Sequence, residues 1–383
     1  MKVVFLLDSL GSGGAERSTA VLLPHLRERG VEPIIVTLGR ATEGSEDAVR
    51  SAGFEVHVLA AATFIGRCRE LRRLLRTTGA DVLHTALFNA DQIGRISSIL
   101  LRITVVTTLV NVPRNATTKS SLGPPAWKVR AVNCIDIVTS HLFVDRFHAV
   151  TPGVARLYRQ KYHLKSSRVV VVERGRDVLE LGVRTQARQV ACRLALEIDP
   201  SARVVLAAGR IDRQKNHADL VRAVGLLLDE GRNVVLLLAG REGDASAEVE
   251  GLRDERSDLR AAVRVLGYRP DIGDLLAASD VMALPSRFEG TAGIALEAMA
   301  VGTPIVSTDL DGMEGILENR RNSLIVAIGD VPAMANAIGS LLDDPGLGTQ
   351  LAREASNDFL ARFTIHRSAD RMTAFYDQLV GGT

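Results

Sequence analysis

Cysteine is scarce in this 383-residue chain: Cys68, Cys134 and Cys192 stand far apart and are odd in number, which fits neither a disulfide framework nor a zinc site. No charge of one sign dominates. Lys and Arg number 47 against 45 Asp and Glu, a formal net charge of +2, so nothing global points to nucleic acid as a partner. Low-complexity segments and short repeats are missing, and no apolar run approaches the length of a membrane span. Met1-Lys2 leads straight into Val3-Val4-Phe5-Leu6-Leu7, then Asp8 and glycines, the pattern of a first strand and not of a signal peptide. These absences predict a cytoplasmic protein.

What is present suffices for a large fold. With 46% apolar and 24% charged residues the chain is globular, and its length exceeds what one core usually carries, so two domains are expected. Val3 to Leu7 reads as a buried strand, Leu10 to Gly14 as a flexible turn and Ala15 to Arg29 as a helix, with Pro24 placed to kink it. Strands are predicted at 33–38, 55–59, 82–84, 104–108, 146–150 and 168–172, with helices at 65–77, 90–102, 127–143 and 153–162. Around Asp177 to Pro200 the pattern weakens into an arginine-rich connector, where a domain boundary belongs. The second half alternates again, with strands at 203–208, 234–239, 263–266, 281–284, 304–307 and 324–326, and a last helix at Ile365 to Val380. Such alternation implies an α/β class with mostly parallel sheets covered on both faces. Ligand chemistry is then expected at strand C-terminal ends, between the two halves.

The stretch from Pro285 to Thr303, PSRFEGTAGIALEAMAVGT, organises the candidate chemistry. Glu289 precedes a glycine-containing turn, and Glu297 follows eight positions later inside a run, Ile294 to Ala300, that should be helical. Gly290, Thr291, Ala292 and Gly293 carry little side chain, so their N–H groups can approach a ligand, and a helix start offers unpaired N–H groups to an anion. That describes a phosphate seat flanked by two carboxylates, each suited to a sugar diol. A helix with one capping acid and one buried, paired acid accounts for the same spacing equally well.

Four features occur in order: Gly13-Gly14-Ala15-Glu16-Arg17, the segment Gly209-Arg210 to Lys215-Asn216, the Glu289 to Glu297 spacing, and LEAMAVGTPIVSTDLDG. Together they make the chain resemble the retaining glycosyltransferases of the GT-B fold, specifically the large E-x7-E family known as family 4, over almost its whole length. The resemblance implies two Rossmann-like domains facing a cleft: 1–180 binding the acceptor, 200–363 binding the nucleotide-sugar, and a C-terminal helix at 364–383 crossing back to the first. It also implies hexosyl transfer from a nucleotide-sugar with retention at the anomeric carbon, no metal and no cofactor. UDP is the commoner base among such relatives and GDP the next. Glycan, lipid-linked and small-molecule acceptors all remain open.

By the same resemblance, Arg210 and Lys215 should sit on the donor diphosphate, where preorganised cations stabilise the charge of the leaving group. Glu297 would hold the ribose and Glu289 the transferred sugar, while Thr291, Ala292, Gly293 and Ile294 meet phosphate through the backbone. Gly240, Arg241 and Leu266 fall where the family lines its base pocket. Gly13 and Gly14 would approach the phosphates from the first domain, with Glu16, His84 and Asn111 on the acceptor side. An exposed basic loop, plain turn glycines and a hydrogen-bonded structural histidine are the plainer accounts of these residues. No confident nucleophile is visible, which favours a front-face route in which the departing phosphate takes the acceptor's proton.

The chain departs from the family twice. Many relatives place a histidine where this sequence has Val110 before Asn111, and proline and asparagine where it has Glu173-Arg174 before Gly175. Arg174 and Arg176 add positive charge there. Gly11-Ser12-Gly13 after a first strand also suits a dinucleotide enzyme, but the fingerprint breaks at Glu16, and Arg40 would suit only NADP. A non-catalytic partner of another transferase is a further alternative. Asp309-Leu310-Asp311 reads as turn chemistry and not as a metal motif. Arg67, Arg69, Arg72, Arg73 and Arg76 share a predicted helix with Ile65, Leu71, Leu74 and Leu75, as a peripheral membrane helix would; a solvated basic face is the ordinary explanation. The loop Thr117 to Lys128, with Gly123-Pro124-Pro125 and the single Trp127, reads either as a flap over the acceptor or, through Trp127, as a core anchor.

Overall fold

The computed structural model describes residues 1–11, 13–41, 44–113 and 126–381. The elements run β1 (Lys2–Leu7), α1 (Gly14–Arg27), β2 (Glu32–Thr37), α2 (Glu46–Ser51), β3 (Val56–Val58), α3 (Phe64–Thr78), β4 (Val82–Ala86), α4 (Phe88–Ser98), β5 (Thr104–Leu109), α5 (Ala126–Phe143), β6 (Arg146–Ala149), α6 (Pro152–Tyr162) and β7 (Val169–Val171). They continue with α7 (Val178–Leu181), α8 (Gln186–Ala195), β8 (Arg203–Ala208), α9 (His217–Asp229), β9 (Val234–Ala239), α10 (Ser246–Asp254), α11 (Ser257–Ala262), β10 (Val263–Gly267), α12 (Ile272–Ala278), β11 (Val281–Leu284), α13 (Gly293–Val301), β12 (Ile305–Thr308), β13 (Leu324–Val326), α14 (Val331–Asp343), α15 (Pro345–Arg362) and α16 (Ile365–Val380). Two compact units result, one of residues 1–175 with 365–383 and one of residues 176–364.

The first unit holds a 7-stranded sheet in the order β3-β2-β1-β4-β5-β6-β7, and the second a 6-stranded sheet in the order β10-β9-β8-β11-β12-β13. Every strand pairing is parallel. Parallel strands covered on both faces lose water on both sides, which is why β8 and β9 read as unbroken apolar runs, buried along most of their length. In each sheet the order reverses direction beside its first strand, at β1/β4 and at β8/β11, and loops leaving there on opposite sides open a crevice.

Helix α1 runs through Pro24 to Arg27. The stretch read as a connector is built differently: α7 and α8 belong to the second unit, and Arg188 and Arg193 of α8 pair with Asp274 and Asp280 at 2.8 Å. Its arginines anchor it instead of leaving it solvated. Trp127 lies 66% exposed on α5 and anchors no core, while most of the loop read as a flap lies outside the described residues.

Helix α16 completes the first unit. Ile365, Ala369, Met372, Phe375 and Tyr376 recur at helical spacing and pack with β1 and α1. Beneath it runs a directed chain of hydrogen bonds. His148 Nε2 donates to the Val172 carbonyl at 2.8 Å, because a carbonyl only accepts, so Nδ1 accepts from the Thr108 hydroxyl at 3.2 Å. Thr108 in turn accepts from His84 Nε2 at 2.6 Å, which leaves His84 Nδ1 to accept the Tyr376 hydroxyl.

Burial holds these imidazoles neutral: it pushes His84 well below its usual range and His148 down to about 4. His217 falls to about 4 by burial, with Lys215 adding repulsion. An unfolded histidine takes up its proton near pH 6.5, so between there and about 4 the unfolded chain binds protons that the fold refuses, and stability falls with pH. Asp91, raised by burial to about 7, acts in the opposite sense and offsets part of the loss. Denaturant unfolding should therefore show lower stability at pH 5 than at pH 7; equal values would contradict the neutral assignment. Tyr376→Phe leaves His84 Nδ1 buried without a donor and should cost about 1–3 kcal/mol at pH 7, read from the same unfolding curves.

Candidate functional site

The loops after β8 and β11 meet in the second unit at the crevice that its strand order creates. Gly209 follows β8 at φ +147, and a Cβ there would lie 3.1 Å from Lys215 Cε, so the lysine stem passes over bare backbone. Asp212 caps the turn, its Oδ1 accepting from Lys215 N at 2.9 Å. Lys215 Nζ then reaches Glu289 Oε1 at 2.6 Å, and Ser286 Oγ donates to the same oxygen at 2.8 Å. Glu289 is 5% exposed. A carboxylate so shielded needs a close cation, and Lys215 supplies it. Arg210, on the same loop, has a side chain 67% exposed and paired with Asp212 at 3.0 Å.

Beyond Glu289 the chain turns through Thr291 and Ala292, both buried, into α13. The helix is apolar on every side but for Glu297, and it stops at Gly302 with φ +88, a left-handed C-terminal residue before β12. Glu297, 4% exposed, accepts from Arg176 Nε at 2.9 Å. The space beside Gly293 is filled by the Arg176 guanidinium, which a Cβ there would overlap. Ile294 sits beside it, buried in the first turn.

The remaining sequence candidates of this unit line up along neighbouring strand ends. Gly240 is explained by backbone packing, since a Cβ would overlap the Gly209 carbonyl oxygen. Arg241 stacks over the Tyr268 ring at 4.8 Å, and Leu266 packs on the core. Asp311 opens a short 3-10 turn after β12. Sequence reasoning missed Gly312 there: its bare Cα lets the turn lie against the Glu289 carbonyl oxygen. It also missed Ser286, and it saw Arg176 only as added charge, because its sequence neighbours Glu173, Arg174 and Asp177 are charged as well.

In the first unit, Gly13 caps α1, with the Glu16 carboxylate folded back over its Cα, and the Gly14 carbonyl accepts from Arg174 Nη1 at 3.2 Å. His84 has both ring nitrogens engaged inside the unit. It lines, with Ala15, Thr108, Val110, His148 and Arg174, a hollow at the ends of β1, β4 and β5. Asn111 Oδ1 accepts from Val112 N at 2.8 Å. At the start of the basic helix α3, Phe64 and Ile65 are exposed. Leu71 and Leu75 are in the core, Arg72 is bound to the Ser97 and Ile96 carbonyls and Arg67 to that of Ala61. Arg69, Arg73 and Arg76 remain exposed. Among the described residues no helix is long and apolar enough to cross a membrane.

Residues 12–179 match the family model described as Glycosyltransferase Family 4, and residues 202–344 match that of Glycosyl transferases group 1. The chain belongs to glycosyltransferase family 4. The D-inositol 3-phosphate glycosyltransferase of Corynebacterium urealyticum is 30% identical over 225 residues, 57% of this chain and 53% of that protein, so the chain spans about half the length of this relative. That of Mycolicibacterium gilvum is 27% identical over 379 residues, 93% of this chain and 82% of the relative. Among solved structures, Anabaena HepE in complex with UDP-glucose superposes with a TM-score of 0.86 at 20% identity, covering 99% of this chain and 100% of that one. The fold of this family member is therefore GT-B, with two parallel-sheet Rossmann-like units.

Lys215→Met leaves Glu289 shielded without its cation and should lower stability by about 2–4 kcal/mol. Glu289→Gln added to it should restore part of that loss. Thermal unfolding of the two single variants and the double variant measures the coupling; strictly additive effects would show that the pair carries no stability.

Proposed function

We propose that this protein is a retaining glycosyltransferase that moves a hexosyl group from a nucleoside diphosphate sugar, UDP-linked, to an acceptor hydroxyl, without a metal ion. The second unit binds the donor and the first the acceptor. The observation that carries this reading is the pairing of Lys215 with the shielded Glu289 immediately before α13, at the reversal point of the strand order. A cation, a helix start and a carboxylate then converge on one small turn. Similarity to HepE, solved in complexes with UDP and UDP-glucose, and to a D-inositol 3-phosphate glycosyltransferase supports the donor and transferase assignments.

Lys215 and the exposed Arg210 neutralise the diphosphate as the anomeric C–O bond breaks, the role a metal plays elsewhere. Glu289 orients the sugar hydroxyls. Its Oε1 already accepts from two donors, which makes it a poor nucleophile and favours the front-face route. The acceptor oxygen bonds to the anomeric carbon on the face the phosphate leaves, and its proton passes to the departing phosphate oxygen. Glu297 takes the ribose.

UDP, and GDP if the base differs, should raise the melting temperature, and incubation with UDP-hexoses should release UDP. A product with the donor's anomeric configuration by NMR, at a rate unchanged by EDTA, is expected; inversion or chelator inhibition would refute the mechanism. Nucleotide binding without turnover of any donor would point instead to a non-catalytic partner. Glu289→Gln should bind UDP normally and lower turnover by at least about a hundredfold; a covalent glycosyl adduct on Glu289 by mass spectrometry would overturn its orienting role.

A further inference from the structure

The packing of α16 on α1 gathers three metal-ligating side chains that the transfer reaction does not use. His25 lies in the last turn of α1, and Glu28, three residues on and still in the right-handed helical region, shares its face. His366 comes from the first turn of α16, which packs with α1 in the core of the first unit. Each of the three offers one ligand atom, and these atoms lie within 4.8 Å of one another. The two imidazole rings stand edge to face, their centroids 4.8 Å apart.

His25 Nδ1 poses a problem that a cation solves. The atom is buried without a hydrogen-bond partner among the described residues, although Glu28 Oε2 lies 3.4 Å away. Two donors on one zinc ion, each at about 2.0–2.1 Å with tetrahedral angles, stand about 3.4 Å apart. His25 and Glu28 thus already span one edge of a coordination tetrahedron, and the exposed His366 reaches the third corner by side-chain rotation. The charge around the cluster permits this. Arg29 is the facing cation, 3.7 Å from Glu28 Oε2, but its guanidinium is held by Asp370 at 2.7 Å and by the His25 carbonyl at 2.8 Å. With both imidazoles neutral, as metal ligands must be, Glu28, Asp370 and Arg29 leave the cluster net negative.

We propose that His25, Glu28 and His366 form a structural site for a divalent cation of the zinc class, which clips the start of α16 to the end of α1. Two imidazoles and a carboxylate suit zinc and its late first-row neighbours, whereas magnesium and calcium take shells of oxygen. Water supplies the fourth position at this exposed rim. None of the three residues belongs to the candidate donor site, so the transfer chemistry stays free of metal. Removing the ion leaves α16 in its apolar seat on Ile365, Ala369 and Met372. The ion's task is to hold the point at which the chain re-enters the first unit, at Ile365.

Zinc titration of the chelator-stripped full chain, in competition with a chromogenic chelator, tests the proposal. His366→Ala and Glu28→Gln are the site variants, and Cys134→Ser, which removes the exposed thiol, is the control. Both site variants change exposed side chains, so the fold persists, which thermal unfolding monitors. Expected are one equivalent of zinc bound by the wild type and by Cys134→Ser, with affinity at least about tenfold weaker in each site variant. Magnesium and calcium at the same concentration should not bind there. Zinc should also slow hydrogen exchange across residues 365–380 in the wild type and not in His366→Ala. A wild type that binds no zinc, or unchanged affinity in both site variants, would overturn the site. Binding lost in Cys134→Ser and kept in His366→Ala would assign the ion to the thiol and overturn it equally, and zinc held by these ligands without slower exchange would overturn the clip.

Discussion

A carboxylate shut away from water needs a cation beside it, and the second unit meets that need twice along one short segment. Glu289 has Lys215, and Glu297 has Arg176. Neither cation comes from the helix that follows Glu289: Lys215 is brought by the loop after β8, and Arg176 by the strand-like segment that opens the unit. The two ion pairs therefore tie two distant pieces of sequence to the stretch that leads into and forms α13.

Backbone approach, more than side-chain packing, sets where those loops run. The missing side chains at Gly240 and Gly312 let backbone touch backbone, the first against Gly209 and the second against Glu289. Gly209 does a different job, giving the lysine stem a surface to cross. In a parallel sheet of order β10-β9-β8-β11-β12-β13 all these residues fall at strand ends on one edge. Strand order thus chooses the place, and the glycines choose how closely the loops converge there.

Much of this was legible in the sequence. Unbroken apolar runs marked β8 and β9, and helical spacing of Ile365, Met372, Phe375 and Tyr376 marked α16, because both patterns come from burial alone. The turn at 289–293 was visible from its small residues. Partners across long sequence distances were not. That Arg176 lies on Glu297, or that His84 is enclosed by Thr108 and Tyr376, depends on strand register and helix docking, which composition does not encode. The arginines of 184–193 were read only as part of a connector for the same reason: their aspartates, Asp274 and Asp280, lie more than eighty residues on. In α3 the amphipathic pattern was real: Leu71 and Leu75 of its apolar side belong to the core, while Ile65 lies exposed.

The chain leaves the first unit after Gly175 and returns to it only at Ile365. During synthesis, then, the portion made first is finished last. Until the closing helix emerges, the face of β1 that Met372 and Phe375 cover stays wet, and the imidazole of His84 has no phenol to bond. The later portion, residues 176–364, carries its whole core within one uninterrupted span and can close first. The usual head-to-tail order of domain maturation is thereby reversed, and a ribosome that stalls short of the final helix releases a chain with its second half complete and its first half open.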